Sequence, residues 1–255
     1  MIIKINSWFG RLGNNIIQLL NVIQIARYYN YKIFIPKHPY FNTKNNLFFI
    51  NKLNKKIITD RYNFFYDKKI QNIDKKTFNN ENLKKSIEIV KNIFTIKNIP
   101  KLDEKDIIIH IRSGDIFCVP PKHQGYIMPP LSFYKKILDN NNFNNIIIIA
   151  ENKFNPIIDK ILQLYPNIKF KIQSLKEDIT LLLGSSNVVE SFGTFTASLL
   201  LLSDNIKNIY KPNYQVCLIK NIKKVNIIET DLDSYHKKLL PWKNTKKQRE
   251  IMLNS

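Results

Sequence analysis

Ile107-Ile108-Ile109-His110-Ile111 is an apolar run interrupted by one histidine, and it ends at once in Arg112-Ser113-Gly114-Asp115. An apolar stretch of strand length suits a parallel strand covered on both faces, and therefore an α/β layer fold. Loops beyond the carboxyl ends of parallel strands are where such folds bind ligands. An arginine there can fork two donors onto a phosphate, and Gly114 lets backbone approach closely. The plainer reading of the same stretch is a strand followed by an Arg–Asp surface turn. The rest of the chain has to decide between them.

The N-terminal segment follows a similar pattern. Residues 2–6 read as a strand, and residues 7–15 as a loop holding Gly10 and Gly13. Ile16, Ile17, Leu20, Ile23 and Ala26 recur at helical spacing, which predicts an amphipathic helix over 14–29. Residues 32–36 form a second strand. A strand, Gly loop, helix and strand in this order begin a right-handed parallel layer. A Gly loop that opens a helix aims backbone N–H groups at whatever lies above it and favours anions. The loop matches neither GxGxxG nor GxxxxGK[ST]. Residues 56–59 suggest a strand and 81–94 a helix. The polar, turn-rich segment 100–105 divides an N-terminal half, 1–103, from a C-terminal half, 104–255. In the second half, helices over 131–139, 155–165, 176–183 and 196–202 alternate with strands over 145–150, 168–172, 187–190 and 207–210. A further strand lies over 225–229. Ser191-Phe192-Gly193-Thr194-Phe195-Thr196 is the last strand-to-helix loop, with Thr194 or Thr196 as the expected N-cap. The fold class is α/β, with two Rossmann-like halves and mainly parallel sheets.

Charge narrows the partners. The formal net charge is +20, but Lys supplies thirty-five of the forty basic residues and Arg only five. The Lys residues are scattered, so most of the excess reads as a solvated surface whose field draws nucleotide phosphates or polyanions. A basic nucleic-acid-binding protein is the rival from another class. It needs a Lys/Arg stripe with stacking aromatics, whereas the aromatics here fall at core-like spacing, so no nucleic-acid partner is expected. Cys118 and Cys217 carry no metal spacing and read as free, small core residues. No apolar run reaches bilayer length, and the N-terminus lacks the pattern of a signal peptide, which points to a cytoplasmic protein. Asp231-Leu232-Asp233 follows a strand and is the one motif suggestive of a metal-dependent transferase, but no ligand cluster supports it. Asp231 is read as a helix cap, and no metal is expected. His38 and His236 read as surface residues, and His123 as structural. Trp8 and Phe9 are suited to stacking on a sugar, though core packing is their commoner fate. Asp60-Arg61 reads as a surface ion pair.

His110-Ile111-Arg112-Ser113-Gly114-Asp115 resembles the HxRxGD motif of GDP-fucose-dependent fucosyltransferases, the α1,2-, α1,6- and protein O-fucosyltransferase group. Gly10-Arg11-Leu12-Gly13-Asn14-Asn15 resembles the Gly-x-x-Gly-Asn loop of that superfamily. Ser191-Phe192-Gly193-Thr194-Phe195 is similar to its late Ser/Thr-aromatic loop. Ser113 departs from the pattern, since many members carry a second Arg there. The resemblance implies a GT-B-like fold whose halves face a cleft, the first being the acceptor side and the second binding the nucleotide sugar. It also implies an inverting transfer without a metal or other cofactor, from GDP-fucose to a glycan or to a protein- or lipid-linked acceptor. GDP-mannose and UDP- or dTDP-deoxysugars are the alternative donors. On that resemblance Arg112 holds the diphosphate, Asp115 orients Arg112, and His110 positions the nucleotide or sugar. Ser113, Gly114, Ser191, Phe192, Gly193 and Thr194 meet the donor from the second half, and Gly10, Arg11, Gly13 and Asn14 from the first. A base for the acceptor hydroxyl is left open among Asp115, Glu190, Asp60 and His123.

Overall fold

The computed structural model describes residues 1–53 and 55–255, with Lys68 described by its backbone. The chain divides into two compact units, Met1–Asn98 with Asn221–Lys223, and Ile99–Lys220 with Lys224–Ser255. Among the described residues, no helix is long and apolar enough to cross a membrane.

The first unit holds a three-stranded sheet in which β1 (Ile2–Lys4) lies between β2 (Lys32–Phe34) and β3 (Ile57–Ile58), both parallel to it. Helices α1 (Leu12–Tyr29) and α2 (Asn80–Ile93) pack on each other. Two sequence expectations for α1 are corrected. The helix starts at Leu12 and not at residue 14, so Gly13 belongs to its first turn and not to the loop. It is also buried on nearly every face between Leu12 and Ala26 and is not amphipathic. Asn15, Gln18, Asn21 and Gln24 recur every third residue and would ordinarily mark a wet face, yet all four are buried.

The amides of Gln18 and Asn21 are satisfied by backbone from distant segments. Gln18 Nε2 donates to the Asn63 carbonyl at 2.9 Å, and Asn21 Nδ2 to the Phe64 and Phe65 carbonyls at 2.8 and 3.2 Å. Gln18 Oε1 accepts the Phe9 N–H at 2.7 Å, and Asn15 Nδ2 donates to the Phe9 carbonyl at 3.1 Å. These bonds fix both the Gly10 loop and the turn at 60–65, where Asn63 and Phe64 sit at φ 49° and 65°. Non-glycine residues occupy that region only when their surroundings hold them there. Asp60 helps, since its Oδ2 accepts the Tyr62 and Phe64 N–H groups at 2.8 and 3.0 Å. Its role is to cap this turn, not to pair with Arg61 as the sequence suggests.

The second unit is a six-stranded, all-parallel sheet in the order β6-β5-β4-β7-β8-β9. The strands are β4 (Ile107–His110), β5 (Ile146–Ile149), β6 (Lys169–Lys171), β7 (Asn187–Val189), β8 (Asn208–Pro212) and β9 (Asn226–Thr230). The chain runs outward from β4 to β6, then returns to β7 and runs outward the other way. This is the strand order of dinucleotide-binding layers, with its switch point between β4 and β7. Ile107, Ile109 and Ile111 face one core with Phe133, Ile137, Ile158 and Ile161. On that side α3 (Leu131–Asp139), α4 (Pro156–Leu164) and the C-terminal helix Lys246–Asn254 pack together. Alternation sends Ile108 and Val188 to the opposite face, and α5 (Leu175–Gly184) packs against α6 (Thr194–Leu202).

The C-terminal segment is anchored by a fully buried Trp242. Trp242 Nε1 donates to the Ile116 carbonyl at 2.8 Å, and Asn244 Nδ2 to the Phe117 carbonyl at 2.7 Å, just past Arg112. The cysteines are also corrected, since neither is a core residue: Cys118 is exposed and Cys217 half-buried.

Replacing Asn21 by Ala leaves the Phe64 and Phe65 carbonyls without their donor. We expect a loss of about 1–3 kcal/mol in denaturant unfolding. Gln24→Ala should cost less, because the Gln24 amide donates within its own helix, to the Leu20 carbonyl. Equal losses in the two variants would remove the claim that Asn21 holds the 60–65 turn.

Candidate functional site

β4 and β7 are hydrogen-bonded neighbours, and the loops that follow them leave the same edge of the sheet. The loop after β4 carries Arg112, and the loop after β7 carries Ser191, Phe192 and Gly193. Arg112 is fixed on two sides. Its Nη2 donates to Asp115 Oδ1 at 2.9 Å, and its guanidinium carbon lies 5.5 Å from the centre of the Tyr126 ring. The side chains of Arg112 and Asp115 are 16% and 12% exposed, so the pair is sheltered but not sealed. Arg112 Nε is buried and has no hydrogen-bond partner. Nη1 points at Gly193, where an added Cβ would lie 3.5 Å from it. Gly193 has φ 116°, a conformation that side-chain-bearing residues rarely adopt, and it is the N-cap of α6. The guanidinium therefore meets the positive end of a helix, a place that attracts anions.

A small crevice beside this point is lined by His110, Glu190, Ser191, Phe192, Gly193, Thr196 and Gln215. His110 Nδ1 lies 2.7 Å from Thr196 Oγ1, and its ring packs against Phe195. Burial, aided by the charge on Arg112, lowers the imidazole to about 3, so it is neutral at ordinary pH. Glu190 is 3% exposed. Burial raises its carboxyl to about 8 against the opposing pull of Lys211. Its Oε2 has no hydrogen-bond partner.

The other sequence-predicted residues divide sharply. Ser113 is 2% exposed and ties two loops together. Its hydroxyl donates to Asn152 Oδ1 at 2.6 Å and accepts the Asn155 N–H at 3.0 Å. Gly114 donates its N–H to the same Asn152 oxygen at 3.2 Å. Ser191 is buried, with its hydroxyl directed at the sulfur of Met128. Gly193 exchanges two bonds with the Gln215 amide, at 3.2 and 2.8 Å. These four groups shape the site from within and are not polar groups open to a donor. Thr194 is the first residue of α6 and Thr196 lies within it, so neither is the N-cap the sequence suggests. Phe192 packs edge-on against Tyr126. Asn152, Asn155, Tyr126 and Gln215 are the supporting residues that sequence reasoning missed. Gln215 stands 22 residues beyond Gly193, and no local pattern marks it.

In the first unit, Gly10 has φ 69°, and a side chain there would collide with Asn14. Arg11 is the N-cap of α1, and Gly13 is buried within that helix. His38, expected at the surface, is half-buried between Trp8 and Phe41, with Nε2 3.2 Å from Asn15 Oδ1. Burial lowers it to about 4. His236, likewise expected at the surface, stacks on Tyr214. His123 is exposed and stacks on Tyr126. Asp231 and Asp233 both accept from the Asn213 amide, at 3.0 and 2.9 Å, and Asp231 also accepts the Asp233 N–H. Among the described residues, no group of three or more His, Cys, Asp and Glu could hold a metal ion.

No family model matches the chain, and neither does any curated protein. Among solved structures, the chain is similar to E. coli heptosyltransferase WaaC with ADP, at 9% identity over 98% of each chain with a TM-score of 0.40. A likeness at that level bears on neither substrate nor chemistry.

Because Glu190 holds its proton from the ordinary carboxylate range near 4.5 up to about 8, its contribution to stability is full below the lower value. That contribution is lost as pH rises through the upper one. The effect is on the order of a few kcal/mol. Glu190→Gln keeps a neutral amide in the same place and removes the titration. Melting curves from pH 5 to 9 should therefore show the variant gaining on the parent chain as pH rises. Parallel curves would contradict the assignment.

Proposed function

We propose that the protein is a GT-B-type glycosyltransferase that takes a nucleoside-diphosphate sugar and seats the diphosphate at the switch point of its second unit. One observation carries the reading: Arg112, braced by Asp115 and Tyr126, meets the N-terminus of α6 at Gly193. A phosphate oxygen placed there gains a forked cation and the helix's positive end together. It also supplies an acceptor for a buried guanidinium nitrogen, Arg112 Nε, that has none among the described residues. The HxRxGD resemblance names GDP-fucose as the donor, and GDP-mannose and UDP- or dTDP-deoxysugars are its competitors.

The chemistry follows from the charges. As the sugar departs, negative charge grows on the diphosphate, and a fixed guanidinium in a sheltered site stabilises it. Asp115 keeps the fork oriented and leaves Nη1 and Nε turned elsewhere. Glu190 is largely protonated at neutral pH and His110 is neutral, so neither competes with the phosphate as a buried anion or cation. Asp115 is ion-paired, Asp60 caps a turn, and Glu190 carries its proton. We therefore assign most of the rate enhancement to leaving-group stabilisation and not to a strong base. The transfer we propose is a direct, inverting displacement that uses no metal: the acceptor oxygen bonds to the anomeric carbon as that carbon's bond to the diphosphate oxygen breaks, and the hydroxyl proton passes to the departing diphosphate.

Titration calorimetry with GDP, together with a turnover assay on a panel of nucleotide sugars, tests this. Arg112→Ala should weaken GDP binding at least ~10-fold and cut turnover by ~10²–10³, with the melting temperature little changed. Arg112→Lys should recover little, because an ammonium cannot reproduce the fork. Unchanged turnover in Arg112→Ala would overturn the proposal, and a preference for another nucleotide sugar would replace GDP-fucose as the donor.

A further inference from the structure

The first unit carries an aromatic surface that the donor site does not use. Phe9 sits beside Gly10 and is 38% exposed, although its residue type favours the core. Its ring packs on Phe65 at 4.9 Å and approaches Tyr66 at 6.2 Å. Phe65 meets Tyr66 at 4.7 Å, and Tyr66 meets Tyr62 at 5.2 Å. Four rings thus form one ledge running from the Gly10 loop to the turn at 60–66, and Tyr66 is also 38% exposed.

Cations stand at the far end of the ledge. Lys69 Nζ lies 5.2 and 4.7 Å from the ring centres of Tyr62 and Tyr66, and the Arg61 guanidinium carbon lies 5.5 Å from that of Tyr62. Cation–π contact holds these charges in place. Arg61, Tyr62 and Lys69 also line a groove that continues to Lys56, Tyr29 and Tyr31. Among the described residues Asp60 is the one carboxylate lining it, and its Oδ2 is occupied by two backbone N–H groups. Asp67 is exposed in the turn leading to Lys69. The ledge is built in advance of any ligand. The positive-φ residues Asn63 and Phe64 that carry it are tied to α1 by buried amides of Gln18 and Asn21.

We propose that the ledge from Phe9 to Tyr62, with Arg61, Lys69 and Lys56 beyond it, binds an acidic oligosaccharide, the class of acceptor the enzyme glycosylates. This rests on the glycosyltransferase reading. Aromatic faces match the C–H faces of pyranose rings, and the fixed cations match a carboxylate, sulfate or phosphate on a sugar further along. The ledge starts at the loop that opens α1, so a bound chain has one end at the Gly10 loop and its charged part at the lysine end.

The test is a glycan array carrying neutral and acidic oligosaccharides, read alongside GDP calorimetry. The chain should be retained on acidic glycans at least ~10-fold better than on neutral ones of equal length. Phe9→Ala with Tyr66→Ala should abolish retention on both kinds. Arg61→Gln with Lys69→Gln should remove the preference for acid while leaving residual binding. All four changes lie at exposed or edge positions, and GDP affinity should stay within about twofold of the parent chain. Retention on neutral glycans alone, retention on none, or tighter binding to single-stranded oligonucleotide than to any glycan would overturn the ledge assignment. Failure of the parent chain to bind GDP while the acidic glycans still bind would instead remove the donor reading and leave the ledge standing.

Discussion

The parallel pairing of β4 with β7 is the constraint on which the second unit depends. Its register sets Ile107 against Asn187 and Ile109 against Val189, so the two strands end level. After β4 the chain turns toward β5, and after β7 it turns toward β8, on the other side. Right-handed crossovers in opposite directions place their helices on opposite faces of one sheet. The two loops therefore part as they leave the edge, and side chains from both meet across the gap. Arg112 and Gly193 face each other because of strand order, before any consideration of what they bind.

Polar groups in that gap are kept from cancelling it. Two carboxylates and an imidazole stand near the arginine, and three ionised neighbours would blur its charge. Burial leaves the imidazole of His110 unprotonated and the carboxyl of Glu190 protonated, so Asp115 is the ionised group that answers Arg112. A guanidinium held by one carboxylate and one ring loses little freedom when an anion arrives, which is the advantage of preorganisation. Trp242 extends this arrangement outward. By holding the Ile116 carbonyl from 126 positions away, it fixes the turn that presents Asp115.

What was legible in the sequence divides along a physical line. The apolar run at 107–111 announces a strand buried on both faces, because isoleucine at four of five successive positions suits a short strand covered on both sides. The alternation of strands and helices after it follows from period alone. Partners at long range were not legible. Asn15, Gln18, Asn21 and Gln24 look like a solvated face until three carbonyls from residues 63–65 meet the amide nitrogens of Gln18 and Asn21. Ser113 and Gly193 look like phosphate ligands, as their residue types allow, until Asn152 and Gln215 occupy them. In each case the missing information is a partner tens of residues away, which composition and period do not carry. Arg112 was legible because a charge at the end of a buried strand has few stable fates.

The same long-range amides give the molecule a division of labour between neutral and ionic contacts. Asn152 and Asn155 hold the Arg112 loop, Gln215 holds Gly193, Gln18 and Asn21 hold the 60–65 turn, and Asn244 holds Phe117. Asn187, Asn208 and Asn226 form a ladder across the starts of three strands, at 2.7 and 2.9 Å. None of these joints carries charge, so salt and moderate pH leave them alone. In a chain with a formal charge of +20, that matters. Loops fixed by ion pairs would work within a strong positive field that changes with ionic strength, because exposed charges are screened over roughly 8–10 Å. Loops fixed by amides keep their shape while that field varies. The positive charge can then attract anions through its field alone, and the amides preserve the shape of the loops that field acts around.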